Sequence, residues 1–165
     1  MKIILFDLGD TLEHEGVLLP GAKQTLECLR ELRDGAGEAV ILALASDFDM
    51  PEEPQQVQVI RQRYYGILDR LGIRSFFEPV DTRVTLSTDV GVFKPDELLF
   101  REVLARSGGS ATFRDVVFVT ENPDHVSAAR KLGMLAIHFG GPGQVSGEVD
   151  RLVDLVPRIR EMIGV

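Results

Sequence analysis

Residues 1–12 read MKIILFDLGDTL, and the fold is decided there. The apolar run Ile3-Ile4-Leu5-Phe6 stops at Asp7, with Asp10 and Thr11 close behind. A continuous short apolar run without polar alternation is the pattern of a strand buried on both faces, as in a parallel sheet. A carboxylate at the carboxyl end of such a strand sits where open α/β sheets bind ligands. It is held by a rigid element and faces a crevice, which suits a nucleophile or a metal ligand.

Working outward, strand and helix signals alternate along all 165 residues. Pro20 to Arg33 predicts a helix, with Leu26, Leu29 and Leu32 on one face and Gly35 and Gly37 after it. Residues 39–45 (AVILALA) predict a central parallel strand, followed by the polar loop Ser46 to Glu53. Pro54 to Leu71 is helical by its period, with Val57, Ile60, Tyr64, Ile67 or Leu68, and Leu71 on one side and Gly72 as cap. Residues 76–93 carry a weaker signal, a short strand at Val84 to Leu86. A helix from Pro95 to Arg106, a strand Val116 to Val119, a helix Pro123 to Leu132 and a strand Met134 to Phe139 follow. A Gly/Pro loop over residues 140–147 then leads to a last helix expected over residues 157–163, since Pro157 argues against a longer one. The alternation predicts an α/β fold, a three-layer sandwich around a doubly wound parallel sheet, in a single domain over residues 1–165.

Composition narrows the class. Hydrophobic content of 44% and charged content of 27% fit an ordinary globular chain. No apolar run approaches the roughly 18 residues of a membrane span, and the opening run breaks too early for a signal peptide. A cytoplasmic protein is expected. Cys28 is the only cysteine, so no internal disulfide forms; its place in an amphipathic helix predicts a packed small side chain. A net charge of −8 argues against nucleic acid and anionic membranes as partners. The same field repels a phosphorylated substrate unless a local cation compensates.

The opening stretch resembles the first motif of the haloacid dehalogenase superfamily of phosphohydrolases, an apolar strand followed by Asp-x-Asp-x-Thr. Asp7 and Thr11 are in register, while Gly9 takes the place of the second Asp. Asp10 falls one position late and points elsewhere. Three further motifs follow in order. Ser46, in Leu44-Ala45-Ser46-Asp47, closes the second strand. Lys94 stands in Gly91-Val92-Phe93-Lys94-Pro95 before a helix. Glu121 follows the fourth strand in Thr120-Glu121-Asn122-Pro123-Asp124-His125, with Glu for the usual Asp and with Asp124 or His125 at the second acidic position.

The resemblance implies a magnesium-dependent phosphohydrolase in which Asp7 attacks phosphorus. Thr11, Ser46, Asp47 and Lys94 would bind the phosphoryl group. Asp7, the Gly9 carbonyl and Glu121 would hold Mg2+, an ion that takes oxygen ligands and keeps several waters. A lysine ammonium about 4 Å from a phosphoryl charge is worth roughly 4 kcal/mol at an effective dielectric of 20. The Asp missing at position 9 is the family's general acid–base, a role typically worth about 10²–10⁴-fold. Weak turnover is therefore expected, best with acyl or aryl phosphates. His14, in the flap Glu13-His14-Glu15, is a candidate to stand in for it.

Room for only a flap and one helix between the first two motifs, and one helix before the third, implies a form without a cap domain. Such an open site would be closed by its phosphorylated small-molecule or protein substrate, or by a homo-oligomer. The acidic loop Asp47 to Glu53 should border its mouth. Two other readings of the resemblance are a catalytically silent binding or regulatory protein, suggested by Gly9, Glu121 and His125, and carbon–halogen hydrolysis, whose enzymes also lack the second Asp.

Overall fold

The structure, a computed structural model, describes residues 1–143 and 145–165. Gln144, inside the loop expected over residues 140–147, lies outside them. The elements in chain order are β1 (Ile3–Phe6), β2 (Glu13–His14), β3 (Val17–Leu18), α1 (Ala22–Arg30), β4 (Ile41–Ser46) and α2 (Val57–Leu71). Then come α3 (Val80–Arg83), β5 (Val84–Leu86), α4 (Ser87–Val90), α5 (Glu97–Arg106), β6 (Val116–Thr120), α6 (Pro123–Lys131), β7 (Leu135–His138) and α7 (Leu155–Ile163).

Five strands form one parallel sheet in the order β5-β4-β1-β6-β7. β1 is central, with Ile3 paired to Ile41 on one side and to Val116 on the other. The chain leaves β1 toward β4 and later returns to its opposite edge with β6. That reversal is the topological switch point at which open sheets hold ligands, beyond their carboxyl ends.

Side-chain alternation along β1 divides the core into two layers. Ile4 and Phe6 pack with Leu26, Tyr64, Leu68 and Ile159 from α1, α2 and α7. Ile3 and Leu5 pack on the other face with Leu99, Phe100, Val126 and Ala129 from α5 and α6. All four β1 side chains are 0% exposed, and fully burying an aliphatic side chain contributes about 1.5–3 kcal/mol. The three-layer α/β sandwich expected from the alternation is the fold observed.

Several local expectations shift. Residues 13–18 form a two-stranded antiparallel hairpin, β2–β3, instead of an irregular flap. Helix α1 begins two residues after Pro20, and α5 two residues after Pro95, where Asp96 caps the Leu98 N–H (2.9 Å). Helix α7 starts at Leu155, so Pro157 lies in its first turn, where a missing N–H costs no helical bond. Cys28 is exposed, not packed: Leu26 and Leu29 of α1 take the core face and leave Cys28 outside it. No helix among the described residues is long and apolar enough to cross a membrane.

Candidate functional site

The carboxyl ends of β1, β4 and β6 open into one cleft of about 630 Å³. Each strand delivers one polar residue to it. Asp7 follows β1, Ser46 ends β4 and Glu121 follows β6, and Lys94 arrives from the loop after α4. Asp7, Gly9, Ser46, Asp47, Lys94 and Glu121 all line this cleft.

Lys94 Nζ donates to Asp7 Oδ1 (2.5 Å) and to the Ala45 carbonyl (3.0 Å). Both side chains are largely buried, Lys94 at 3% and Asp7 at 12% exposure, so the pair is shielded from water and its attraction is stronger than on the surface. Asp47 is exposed and holds the Lys94 backbone, its Oδ1 accepting from the Lys94 N–H (2.8 Å). Ser46 is buried and shares a hydrogen bond of 2.6 Å with the Tyr64 hydroxyl of α2. The loop after β4 is fastened to α4: Ser87 Oγ accepts from the Phe48 N–H (2.7 Å) and Thr88 Oγ donates to the Asp49 carbonyl (2.7 Å).

Glu121 is tied from both sides. Thr11 Oγ1 donates to Glu121 Oε2 (2.8 Å) and accepts from the Glu121 N–H (3.2 Å). The Thr120 hydroxyl lies 3.4 Å from Asp7 Oδ2 and 3.3 Å from Glu121 Oε2, so the two carboxylates meet around it. Burial first, and the neighbouring Asp7 carboxylate second, push Glu121 up to about 7. Two acids held this close favour either a shared proton or a cation. Magnesium bound through one or two carboxylates, with waters completing the shell, fits them, and Gly9 borders the same cleft. Among the described residues no group of three or more His, Cys, Asp and Glu side chains is placed to hold a metal ion, so a cation here would rest on these two carboxylates, backbone oxygen and water.

Thr11, expected at the phosphoryl group, is 0% exposed, is not among the residues that line the cleft, and bonds through its hydroxyl to Glu121. The acidic loop is corrected as well. Only Asp47 and Phe48 of residues 47–53 face the cleft, while Asp49 pairs with Arg63 (2.8 Å) on the outer side of α2. His14 is turned away, its Nδ1 on Asp10 Oδ1 (2.5 Å), and Asp10 adopts a left-handed backbone (φ 59) that aims its carboxylate outside the cleft.

Of the two residues considered for the second acidic position, His125 lines the cleft and Asp124 does not. Asn122 caps α6, accepting from the Asp124 (2.9 Å) and His125 (3.3 Å) N–H groups, which fixes the first turn that carries the imidazole. His125 Nδ1 is buried without a hydrogen-bond partner among the described residues. Burial, then the Lys94 charge, hold its pKa below the ordinary value, so the ring is neutral near pH 7. Glu13, Tyr64 and Arg70 also line the cleft and were not singled out from the sequence. Tyr64 had a core signal only, and Arg70 belongs to no motif.

No protein-family model matches the chain. It is 32% identical over 110 residues to the drimenol cyclase drtB of Aspergillus calidoustus, a match covering 58% of this chain and 20% of that much longer protein. Among solved structures it superposes on the HAD phosphatase of Thermococcus onnurineus with a TM-score of 0.61 at 16% identity, covering 99% of this chain and 98% of that one. It superposes on a HAD-hydrolase of Bacillus subtilis bound to magnesium with a TM-score of 0.60 at 13% identity, covering 90% of this chain and 57% of the other. With the central β1, its terminal Asp7 and the strand order described above, these likenesses show that the chain has the haloacid dehalogenase-like fold.

Proposed function

We propose that this chain is a magnesium-dependent phosphohydrolase acting through an aspartyl-phosphate on Asp7. The observation that carries the reading is the convergence of Asp7, Lys94 and Glu121 in one cleft, with Lys94 bonded directly to Asp7. An Asp7 oxygen attacks phosphorus and the bond to the leaving oxygen breaks. The electron pair stays on that oxygen, which takes a proton from solvent because position 9 has no acid to give one. Water then attacks the phosphorus of the aspartyl-phosphate, releasing inorganic phosphate and restoring the carboxylate. Lys94 neutralises charge on the transferred group, and the Ser46 hydroxyl, oriented by Tyr64, donates to one of its oxygens. Magnesium, held by Asp7, Glu121 and the Gly9 carbonyl, would supply Lewis-acid charge stabilisation.

The substrate is a phosphorylated small molecule or protein, admitted by a cleft that no separate cap covers among the described residues; a second copy of the chain is one way to close it. Gly9 keeps a second reading in play, a catalytically silent binding protein on the same fold. The test is hydrolysis of acetyl phosphate and an aryl phosphate with Mg2+. The proposal expects slow turnover that Asp7→Asn abolishes. Turnover that survives Asp7→Asn would overturn the nucleophile assignment, and none at all would favour the silent reading.

A further inference from the structure

A phosphoryl group fills only a small part of a cleft of about 630 Å³, a size that takes a whole drug-sized ligand. The remaining wall is built by α2 and the loop after β4. Tyr64, Ile67 and Leu71 recur at helical spacing along α2, and Phe48 packs edge-on against Tyr64 with ring centroids 5.2 Å apart. Beside this apolar wall stands Arg70, which with Lys94 makes the two permanent cations of the cleft lining. Lys94 is committed to Asp7 and Ala45. Arg70 has no ion pair or side-chain hydrogen bond among the described residues, although the chain carries 26 acidic residues against 18 basic ones. Its neighbours on the helix contrast with it: Arg61 and Arg63 each have a carboxylate partner.

From this arrangement we infer that the cleft selects a phosphate ester whose organic body has an apolar face and a second anionic group, with Arg70 as the residue that recognises the second anion. This rests on the phosphohydrolase reading for the role of the Lys94 end. A planar guanidinium with its full set of donors free matches a carboxylate or a second phosphate in two-point geometry. The apolar wall of the same cleft takes the body that joins the two anions.

The experiment measures binding, with Mg2+ present, of two aryl phosphonates that differ only in a ring carboxylate; phosphonates bind without being turned over. The wild type should bind the carboxylated probe about tenfold more tightly. Arg70→Ala should erase the difference, and Arg70→Lys should restore part of it. Equal binding of both probes by the wild type, a preference that survives Arg70→Ala, or no binding of either probe would overturn the inference. The parent reading fails separately. Loss of aryl phosphate hydrolysis with the Arg70-dependent preference intact would sink the reaction alone, and hydrolysis without any preference would sink the substrate class alone.

Discussion

A Cβ added at Gly9 would meet only Glu13 Oε1, at an ordinary 3.6 Å, and the backbone there is not left-handed. The first atom of an aspartate side chain is thus accommodated at this position without a clash. Gly9→Asp should raise turnover of alkyl phosphates, whose leaving groups need a proton most, by up to about 10²-fold. An unchanged rate would mean that more than this carboxylate has been lost. Glu121 gives a second test at the same scale. Its folded value near 7 exceeds its ordinary 4.5, so the folded chain binds this proton more tightly than the unfolded one. Its contribution to stability is therefore full below about pH 4.5 and is lost as pH rises through about 7. In chelator, the urea midpoint of wild type should fall between those limits, and Glu121→Gln should show a shallower fall; parallel profiles would contradict the pairing with Asp7. Asp7, Ser46 and Glu121 stand at the ends of apolar runs and Lys94 in a Gly-x-x-Lys-Pro stretch, and the resemblance to the superfamily's motifs is what marks them in the sequence. The bond from Thr11 to Glu121 was not legible, because a motif position does not say which way a hydroxyl turns. Arg70 was missed because an arginine near a helix end is ordinarily a solvated one.

Among the elements, α2 does more than its apolar stripe announced. Arg61 and Tyr65 are buried on it as well. The Arg61 guanidinium pairs with Asp89 of α4, each 3% exposed, and also donates to the Tyr65 hydroxyl (2.8 Å) and the Val84 carbonyl (3.0 Å). Asp89 in turn accepts from the Leu86 N–H (2.8 Å). This network clamps β5 and α4, and so the start of the loop that presents Lys94. Arg61→Ala leaves Asp89 with only its longer ion pair to Arg106 (3.5 Å) among the described residues and should cost up to about 3–5 kcal/mol, read as a lower urea midpoint. A loss below about 1 kcal/mol would mean that Arg106 or water compensates Asp89 and that the clamp is weak. Residues 76–93 were the hardest to read for this reason. Their short pieces are held by partners distant in sequence, not by a local period.

For the molecule as a whole, the continuous apolar runs announced the sheet, because a strand covered on both faces has no polar side to show. The strand order β5-β4-β1-β6-β7, in which the chain reverses direction across β1, sets the cleft above that strand. The hairpin over residues 13–18 was not legible, since two-residue strands are set by the turn at Glu15-Gly16, both in positive φ, more than by any hydrophobic pattern. What the assembled molecule does rests on Asp7 as the nucleophile. The most direct measurement is to quench the protein with acetyl phosphate and Mg2+ on a short time scale and locate any acid-stable phosphoryl adduct by mass spectrometry. A phosphoryl group on Asp7, absent with chelator and absent in Asp7→Asn, is the predicted result. Turnover with no adduct on Asp7, or with the adduct on another residue, would contradict it.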